Sequence, residues 1–138
     1  MAGSRSDIVI AVRGVIVANL QPDIVESPHY LGMATWVVRP EHSPRTHDRR
    51  PMPVLALGER KSYVSLFLPP IYFLPGFGPW LERAWRESGC SYRAGKASLQ
   101  LRDLDDVPLD VVAEAVTKLR VDELVPAFRA VFPGSSRR

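Results

Sequence analysis

Two apolar runs joined by a short polar turn constrain the fold of this chain more than any other feature. Residues 54–58 read VLALG, residues 62–68 read SYVSLFL, and the polar triplet Glu59–Lys61 lies between them. Apolar runs around a glycine-containing turn are typical of a β-hairpin. Neither face of the second run is polar, which is typical of a central strand covered on both sides. The chain is therefore expected to contain an antiparallel sheet.

Helix and strand patterns alternate along the rest of the chain. Residues 96–102 alternate apolar and polar side chains, which predicts a half-buried strand. Apolar residues spaced three and four apart indicate helices, the first of them capped by Ser6. The sequence also predicts a helix at 7–20, a helical turn reaching Glu26, and a strand at 29–38 that contains a glycine. A further helix is predicted at 79–88 and is followed by Gly89. The last two predicted elements are a helix with Leu109, Val112, Ala113, Val116 and Leu119 facing inward, and a helix at 122–131 with Pro126 in or near its first turn.

The length of 138 residues fits one domain with a real hydrophobic core. We place that core at residues 7–132. Residues 39–53 contain four prolines and are rich in charged residues and histidine, so they predict a mobile surface loop with little to bury. Residues 133–138 are expected to form a frayed tail. The fold class predicted by these elements is α+β, with helices packed against one antiparallel sheet.

Charge and cysteine content exclude several classes of protein. The formal net charge of +3 is too small to argue for nucleic-acid binding. The single cysteine, Cys90, excludes an intramolecular disulfide and a cysteine-built zinc site, and it fits a reducing cytoplasm. The apolar residues 7–20 are interrupted by Asp7 and Arg13 and are too short to span a bilayer. We therefore expect a soluble, cytoplasmic protein without a membrane segment.

The stretch GCSYRAGKAS, residues 89–98, raises the question of a phosphate-binding loop. Such a loop needs four residues between its glycines and a hydroxyl after its lysine. Here five residues separate Gly89 from Gly95, Ala97 follows Lys96, and the predicted helix precedes the strand instead of following it. A nucleotide loop is excluded. No serine lies in a nucleophile elbow, and Cys90 follows a helix C-terminus, where a thiolate is not stabilised, so the sequence favours a non-enzymatic protein.

Three segments together resemble the YdhG-like family of bacterial domains. They are RAGKASLQLRDLDDVPLDVVAEAV at 93–116, LALGERKSYVSLFLPPIY at 55–72, and LGMATW at 31–36. The last segment keeps the family's glycine, methionine and aromatic residue, but Leu31 and Ala34 stand where tryptophan and proline are usual. The resemblance covers residues 7–119. It implies a frataxin-like α+β fold with helices on one face of the sheet, and some relatives are described as iron chaperones.

Iron handling is thus the function that the resemblance implies. Frataxin-type iron binding uses surface carboxylates, commonly on the first helix, yet the first helix here carries only Asp7. The alternative carboxylate cluster is formed by Asp103, Asp105, Asp106 and Asp110. Carboxylates at this position are more simply explained by their favourable interaction with a helix dipole. His42 and His47 in the proline-rich loop are weaker metal candidates, and His29 is most simply a strand-edge residue.

A binding pocket is the alternative function. Aromatic residues are numerous around the predicted sheet, and lysines lie near some of them in sequence. An aromatic cleft with a cationic rim suits a small anionic ligand. The candidate pocket residues are Trp36, Lys61, Tyr63, Tyr92 and Lys96. If the aromatic residues form a flat exposed patch instead, they predict a partner interface or a homodimer.

Overall fold

The computed structural model describes residues 4–30, 32–43 and 51–132, and of residues 28–30 it describes the backbone alone. These residues form one α+β domain with a five-stranded antiparallel sheet, as the sequence predicts. The helices of the described ranges are α1 (Arg5–Asn19), α2 (Pro70–Phe73), α3 (Phe77–Glu87), α4 (Leu109–Thr117) and α5 (Val121–Val131). The strands are β1 (Ile24–Tyr30), β2 (Met33–Val38), β3 (Pro53–Glu59), β4 (Val64–Phe67) and β5 (Ser98–Leu101), with two 3₁₀ turns at Pro40–His42 and Leu104–Asp106.

The sheet is a simple meander in which neighbours along the chain are neighbours in space. Its strand order is β1-β2-β3-β4-β5, and α2 and α3 are inserted between β4 and β5. The predicted hairpin is confirmed as β3 and β4, and β4 is central because it pairs with both β3 and β5. Ala94 forms an isolated antiparallel bridge with Leu99 of β5. The segment that contains Ala94 therefore covers part of the β5 edge of the sheet.

The hydrophobic core lies between one face of the sheet and the helices. Helix α1 packs on β3 and β4, and α4 packs on α1 and α3. The sheet side chains in the core cluster include Trp36, Leu57, Leu66 and Leu99. Three buried apolar residues of β2 and β3, namely Met33, Val37 and Ala56, lie outside that cluster. Successive strand residues face opposite sides, so these three belong to the other face of the sheet.

Met33 owes its position on that other face to a glycine in the neighbouring strand. Met33 is buried, and a Cβ atom built on Gly58 would clash with its Cγ atom. The absence of a side chain at Gly58 therefore makes the space that Met33 occupies.

Helix α1 is confirmed, but its cap differs from the predicted one. Ser4, rather than Ser6, is the N-cap, because the Ser4 hydroxyl accepts a hydrogen bond from the Asp7 backbone at 3.2 Å. The Asp7 carboxylate in turn accepts one from the Ser4 backbone at 3.0 Å, which completes a capping box. On its inner face Ile8, Val12 and Ile16 are fully buried. These buried residues are spaced four apart, which is the apolar spacing that predicts this helix.

The prediction for residues 21–38 was wrong in its strand count. The expected helical turn to Glu26 is instead strand β1, which begins at Ile24, and the predicted single strand is interrupted. Gly32 has a φ of +75°, a left-handed conformation that favours glycine, and it lies in the turn between β1 and β2. A glycine inside an apolar run therefore marked a hairpin.

The proline-rich segment is more ordered at its ends than expected. Residues 40–42 form a 3₁₀ turn, Pro53 begins β3, and Met52 is fully buried in the core. The expectation that residues 39–53 bury little is therefore wrong at Met52. The middle of the predicted mobile loop, residues 44–50, and the whole predicted tail, residues 133–138, lie outside the described residues.

Helices α4 and α5 differ in part from the prediction, α4 in its buried residues and α5 in the position of its proline. Helix α3 is confirmed, and Gly89 follows it at a φ of +88°. The predicted inward residues Val112, Val116 and Leu119 are buried, which confirms that part of the prediction. Helix α4 also buries Val111 and Ala115, whereas Ala113 is only half-buried. Helix α5 begins at Val121, which makes Pro126 its sixth residue rather than a first-turn residue. None of the helices in the described ranges is long and apolar enough to cross a membrane.

Candidate functional site

Trp36 lies in the hydrophobic core rather than in a pocket. Its side chain is 2% exposed on the helix side of the sheet. The Arg13 guanidinium lies over the Trp36 ring, 5.4 Å from its centroid, and donates paired hydrogen bonds of 2.7 and 3.0 Å to the Glu26 carboxylate. The hydrogen bond to Glu26 raises the pKa of Arg13. This arrangement joins α1 to the first hairpin and leaves Trp36 no access to a ligand.

Two of the other four predicted pocket residues, Lys61 and Lys96, lie at opposite ends of β4 and β5. Lys61 and Tyr63 precede Val64, which pairs with Leu101. Lys96 precedes Ser98, which pairs with Phe67. Tyr92 lies nearer Leu101, because Ala94 bridges Leu99 in antiparallel fashion and the Gln100 N–H donates to the Arg93 carbonyl. The three steps from Val64 to Phe67 correspond to about 10 Å of strand, so Lys61 and Lys96 emerge at different ends of the sheet.

The two tyrosines also have different neighbours. The Arg102 guanidinium lies 5.9 Å from the ring centroid of Tyr63. Tyr92 packs edge-on against Trp85 at 6.3 Å and lies under Arg86 at 5.4 Å. Burial, followed by the charge of Glu82, raises the pKa of the Tyr92 hydroxyl. The structure thus does not bring the five residues together around one cavity.

The four aspartates of the iron hypothesis do not converge either. Among the described residues, which include all four, no group of three or more acidic, histidine or cysteine side chains could hold a metal ion. Asp106 accepts hydrogen bonds from the Ser91 backbone at 2.9 Å and from Arg93 at 3.4 Å. The backbone hydrogen bond from Ser91 is the main cause of the lowered pKa of Asp106. Asp106 therefore ties the loop after α3 to the 3₁₀ turn before α4.

A cleft elsewhere brings ionisable side chains together. It has a volume of about 520 Å³ and lies between the α1–β1 loop, the 3₁₀ turn after β2 and helix α5. Small-molecule sites commonly have volumes of about 300–1,000 Å³. The lining residues are Gln21, Asp23, Glu41, His42, Ser43, Val121, Asp122, Val125, Pro126 and Arg129. We call this cavity the α5 cleft.

Helix α5 forms one wall of the α5 cleft with a single stripe of side chains. Asp122, Val125, Pro126 and Arg129 are spaced i, i+3, i+4 and i+7, so they lie on one face of the helix. The helix is anchored at its start because the Val121 N–H donates a 2.7 Å hydrogen bond to the Gln21 side-chain oxygen. That bond also places the α1–β1 loop beside the N-terminal end of α5 and satisfies one of the free N–H groups there.

The charged groups of the α5 cleft differ in how they are paired. Asp23 lies 3.8 Å from Arg39, and Asp122 lies 3.4 Å from Arg120, and both pairs are exposed to solvent. Within the described part of the chain, the side chains of Glu41, His42 and Arg129 make no hydrogen bond or ion pair. Three ionisable groups thus face the cleft without a partner among the described residues. In chemical terms the cleft offers hydrogen-bond acceptors, one permanent cation and an apolar patch.

Pro126 leaves one backbone acceptor of helix α5 without its usual partner. Because proline has no N–H, it cannot donate to the carbonyl group four residues earlier in a helix. That carbonyl belongs to Asp122, which also lines the cleft. The carbonyl of Asp122 therefore lacks its usual intrahelical donor.

The sequence contained one signal for this cleft. The pattern D-x-x-V-P-x-x-R at 122–129 places an acid, an apolar pair and a base on one helical face. The partners from the two loops are about 80 and 100 residues earlier in the chain, a separation that no local pattern spans. Of the residues considered for metal binding, His42 lies in the cleft, whereas His47 and the side chain of His29 fall outside the described residues.

The fold and the cleft together define a small α+β domain with a solvent-accessible cleft beside its last helix. Comparisons of this chain with protein-family models, with curated proteins and with solved structures gave no match.

Proposed function

We propose that this chain is a non-enzymatic binding domain of YdhG-like, frataxin-like type that holds a small polar molecule in the α5 cleft. The observation that carries this proposal is a set of three ionisable side chains around one cavity, Glu41, His42 and Arg129, which have no partner among the described residues. A charged group without a partner inside the protein is available to bind a charged group of a ligand. The volume of about 520 Å³ suits a metabolite-sized molecule.

The apolar part of the cleft supports a ligand with some hydrocarbon. Val125 is buried beneath the cleft, Val121 is half-buried, and the Pro126 ring is exposed on its surface. Apolar lining with a few polar groups is the usual composition of a small-molecule site. The hydroxyl of Ser43 accepts a hydrogen bond from the Met52 backbone at 2.7 Å, which gives it a structural role in holding this wall. These features favour binding over catalysis.

Iron handling, which the family resemblance implies, stays a prediction. The geometry favours the α5 cleft over the Asp103–Asp110 carboxylates, since Asp106 is already engaged by Ser91 and Arg93. The pocket built on Lys61 and Lys96 also stays a prediction, although these lysines emerge at different ends of the sheet.

Native mass spectrometry of the freshly purified chain, combined with melting curves over a panel of metabolites, tests the proposal. Arg129→Trp places an indole ring in the cleft and removes its cation. Arg83→Trp is the matched control, because Arg83 is an exposed arginine on α3 that does not line the cleft. A ligand at about 100 times its Kd stabilises the folded chain by about 2.7 kcal/mol.

We expect a co-purified or added metabolite to bind the native chain and the Arg83→Trp variant, and not the Arg129→Trp variant. Equal binding by all three proteins would refute the assignment to the α5 cleft. Anaerobic addition of ferrous iron belongs in the same series. Stoichiometric iron that is lost when Asp103 and Asp110 are changed to asparagine would favour the iron-handling function instead.

A further inference from the structure

The charges along the cleft wall of α5 follow an order that selects a class of ligand. Asp122 lies at one end, Val125 and Pro126 in the middle, and Arg129 at the other end. Seven residues of helix correspond to about 10.5 Å between the first and last of these positions. The wall therefore presents an acid and a base separated by an apolar surface.

The Asp122 end of the cleft is rich in hydrogen-bond acceptors. Asp122 supplies two acceptors, its carboxylate and its backbone carbonyl. Pro126 leaves that carbonyl without a helical donor. Gln21 bonds to Val121, so the α1–β1 loop that carries Asp23 also reaches this end. The ion pairs of Asp23 with Arg39 and of Asp122 with Arg120 are solvent-exposed, and such pairs are weak enough to yield to a ligand. A cationic donor with several N–H groups, such as an ammonium, satisfies this set of acceptors.

The Arg129 end has the opposite character. The Arg129 guanidinium is exposed and, within the described ranges, has no acceptor of its own. A guanidinium binds a carboxylate through paired hydrogen bonds. Between the two ends, the surface formed by Val125 and Pro126 is suited to methylene groups rather than to polar ones.

From this order we propose that the ligand of the α5 cleft is a zwitterion with its ammonium and its carboxylate at opposite ends of an apolar chain. Its ammonium group is bound at Asp122 and its carboxylate at Arg129. This inference rests on the function proposed above and adds the chemical class of the ligand. An α-amino acid with an uncharged side chain carries both charged groups on one carbon, so it can reach only one end of the site at a time.

Titration calorimetry with four small probes tests the ligand class. ε-Aminocaproate carries the two charges at opposite ends of its chain. Norleucine is its isomer with both charged groups on one carbon, hexanoate lacks the ammonium, and hexylammonium lacks the carboxylate. We expect ε-aminocaproate to bind at least about tenfold more tightly than each of the other three, because each of them forfeits a charge-assisted contact.

Two variants test the assignment of the ends. Arg129→Gln is expected to weaken ε-aminocaproate binding by about tenfold or more while leaving hexylammonium binding nearly unchanged. Asp122→Asn is expected to weaken ε-aminocaproate and hexylammonium while leaving hexanoate nearly unchanged. Arg83→Gln, on the outer surface of α3, is the control for a lost surface charge and should bind every probe as the native chain does.

The outcomes separate this inference from the proposed function. If ε-aminocaproate binds no better than norleucine, or does not bind, the zwitterion inference is wrong. The proposed function still holds in that case if another metabolite binds the native chain and is excluded by Arg129→Trp. If ε-aminocaproate binds the native chain and the Arg129→Trp variant equally well, both are wrong.

Discussion

Pro126 is expected to lower the stability of the domain, so replacing it with alanine should be stabilising. It is the sixth residue of α5, where a backbone N–H would donate to the Asp122 carbonyl. Proline in a helix interior is about 3 kcal/mol less favourable than alanine. Proline also restricts the unfolded chain, which offsets up to about 1 kcal/mol of that difference. Pro126→Ala should therefore raise the free energy of unfolding by about 2 kcal/mol.

Urea denaturation of the native chain and the variant measures this difference, with the midpoint expected to rise while the slope stays constant. Pro79→Ala is the matched control. Pro79 is also an exposed helical proline, but it is the third residue of α3, where its missing N–H has no carbonyl partner in the helix. The control should show no gain in stability. An unchanged or lower midpoint for Pro126→Ala would refute the claim that the Asp122 carbonyl lacks a donor.

Three further substitutions test other parts of the fold. Gly58→Ala adds a Cβ atom that clashes with Met33, so it should destabilise the domain by about 1–3 kcal/mol in urea, and an additional Met33→Ala change should recover part of the loss. Asp106→Asn removes a carboxylate whose pKa is lowered mainly by the backbone hydrogen bond from Ser91. The stability that this carboxylate contributes is present above its unfolded-state pKa and is lost as the pH falls through its folded-state pKa. The variant should therefore be less stable than the native chain at neutral pH and equally stable in acid, and a constant difference at all pH values would contradict the assignment. Arg13→Lys keeps the charge but loses the paired hydrogen bonds and the ring contact, so melting curves should show a loss of about 1 kcal/mol.

The elements predicted from the sequence are those whose patterns are long and locally consistent. The hairpin of β3 and β4 combined two apolar runs with a turn, and α3 combined an apolar stripe with a glycine after its end. In such segments, the residues that form the element and the residues that end it lie next to each other in the sequence. The overall α+β class followed from them.

The errors fall where distant parts of the chain decide the local structure. Strand β1 contains Glu26 and Pro28, which are poor strand formers, and it forms because β2 pairs with it. Helix α4 packs against both α1 and α3, so its buried stripe includes Val111 and Ala115 on a side that the periodicity alone did not select. Tertiary contacts in both cases overrode the local pattern.

The candidate site shows the same division. Residue type alone grouped Trp36, Lys61, Tyr63, Tyr92 and Lys96 as a pocket, but the strand register places Lys61 and Lys96 at different ends of the sheet. The α5 cleft needs the α1–β1 loop and the 3₁₀ turn to meet a helix near the end of the chain. In the sequence, Pro126 indicates an effect on helix formation and gives no sign of the cleft.

Pro126 connects the stability of the fold to the proposed binding site. A helix-interior proline that faces a cleft lowers stability, and alanine at the same position would form a better helix. The backbone carbonyl that it leaves free is an acceptor held rigidly by the helix, with no side-chain entropy to lose on binding. The substitution that should stabilise the domain most, Pro126→Ala, should therefore also weaken the binding of an ammonium group at Asp122. A variant that gains stability and keeps full affinity for ε-aminocaproate would show that the Asp122 carbonyl takes no part in binding.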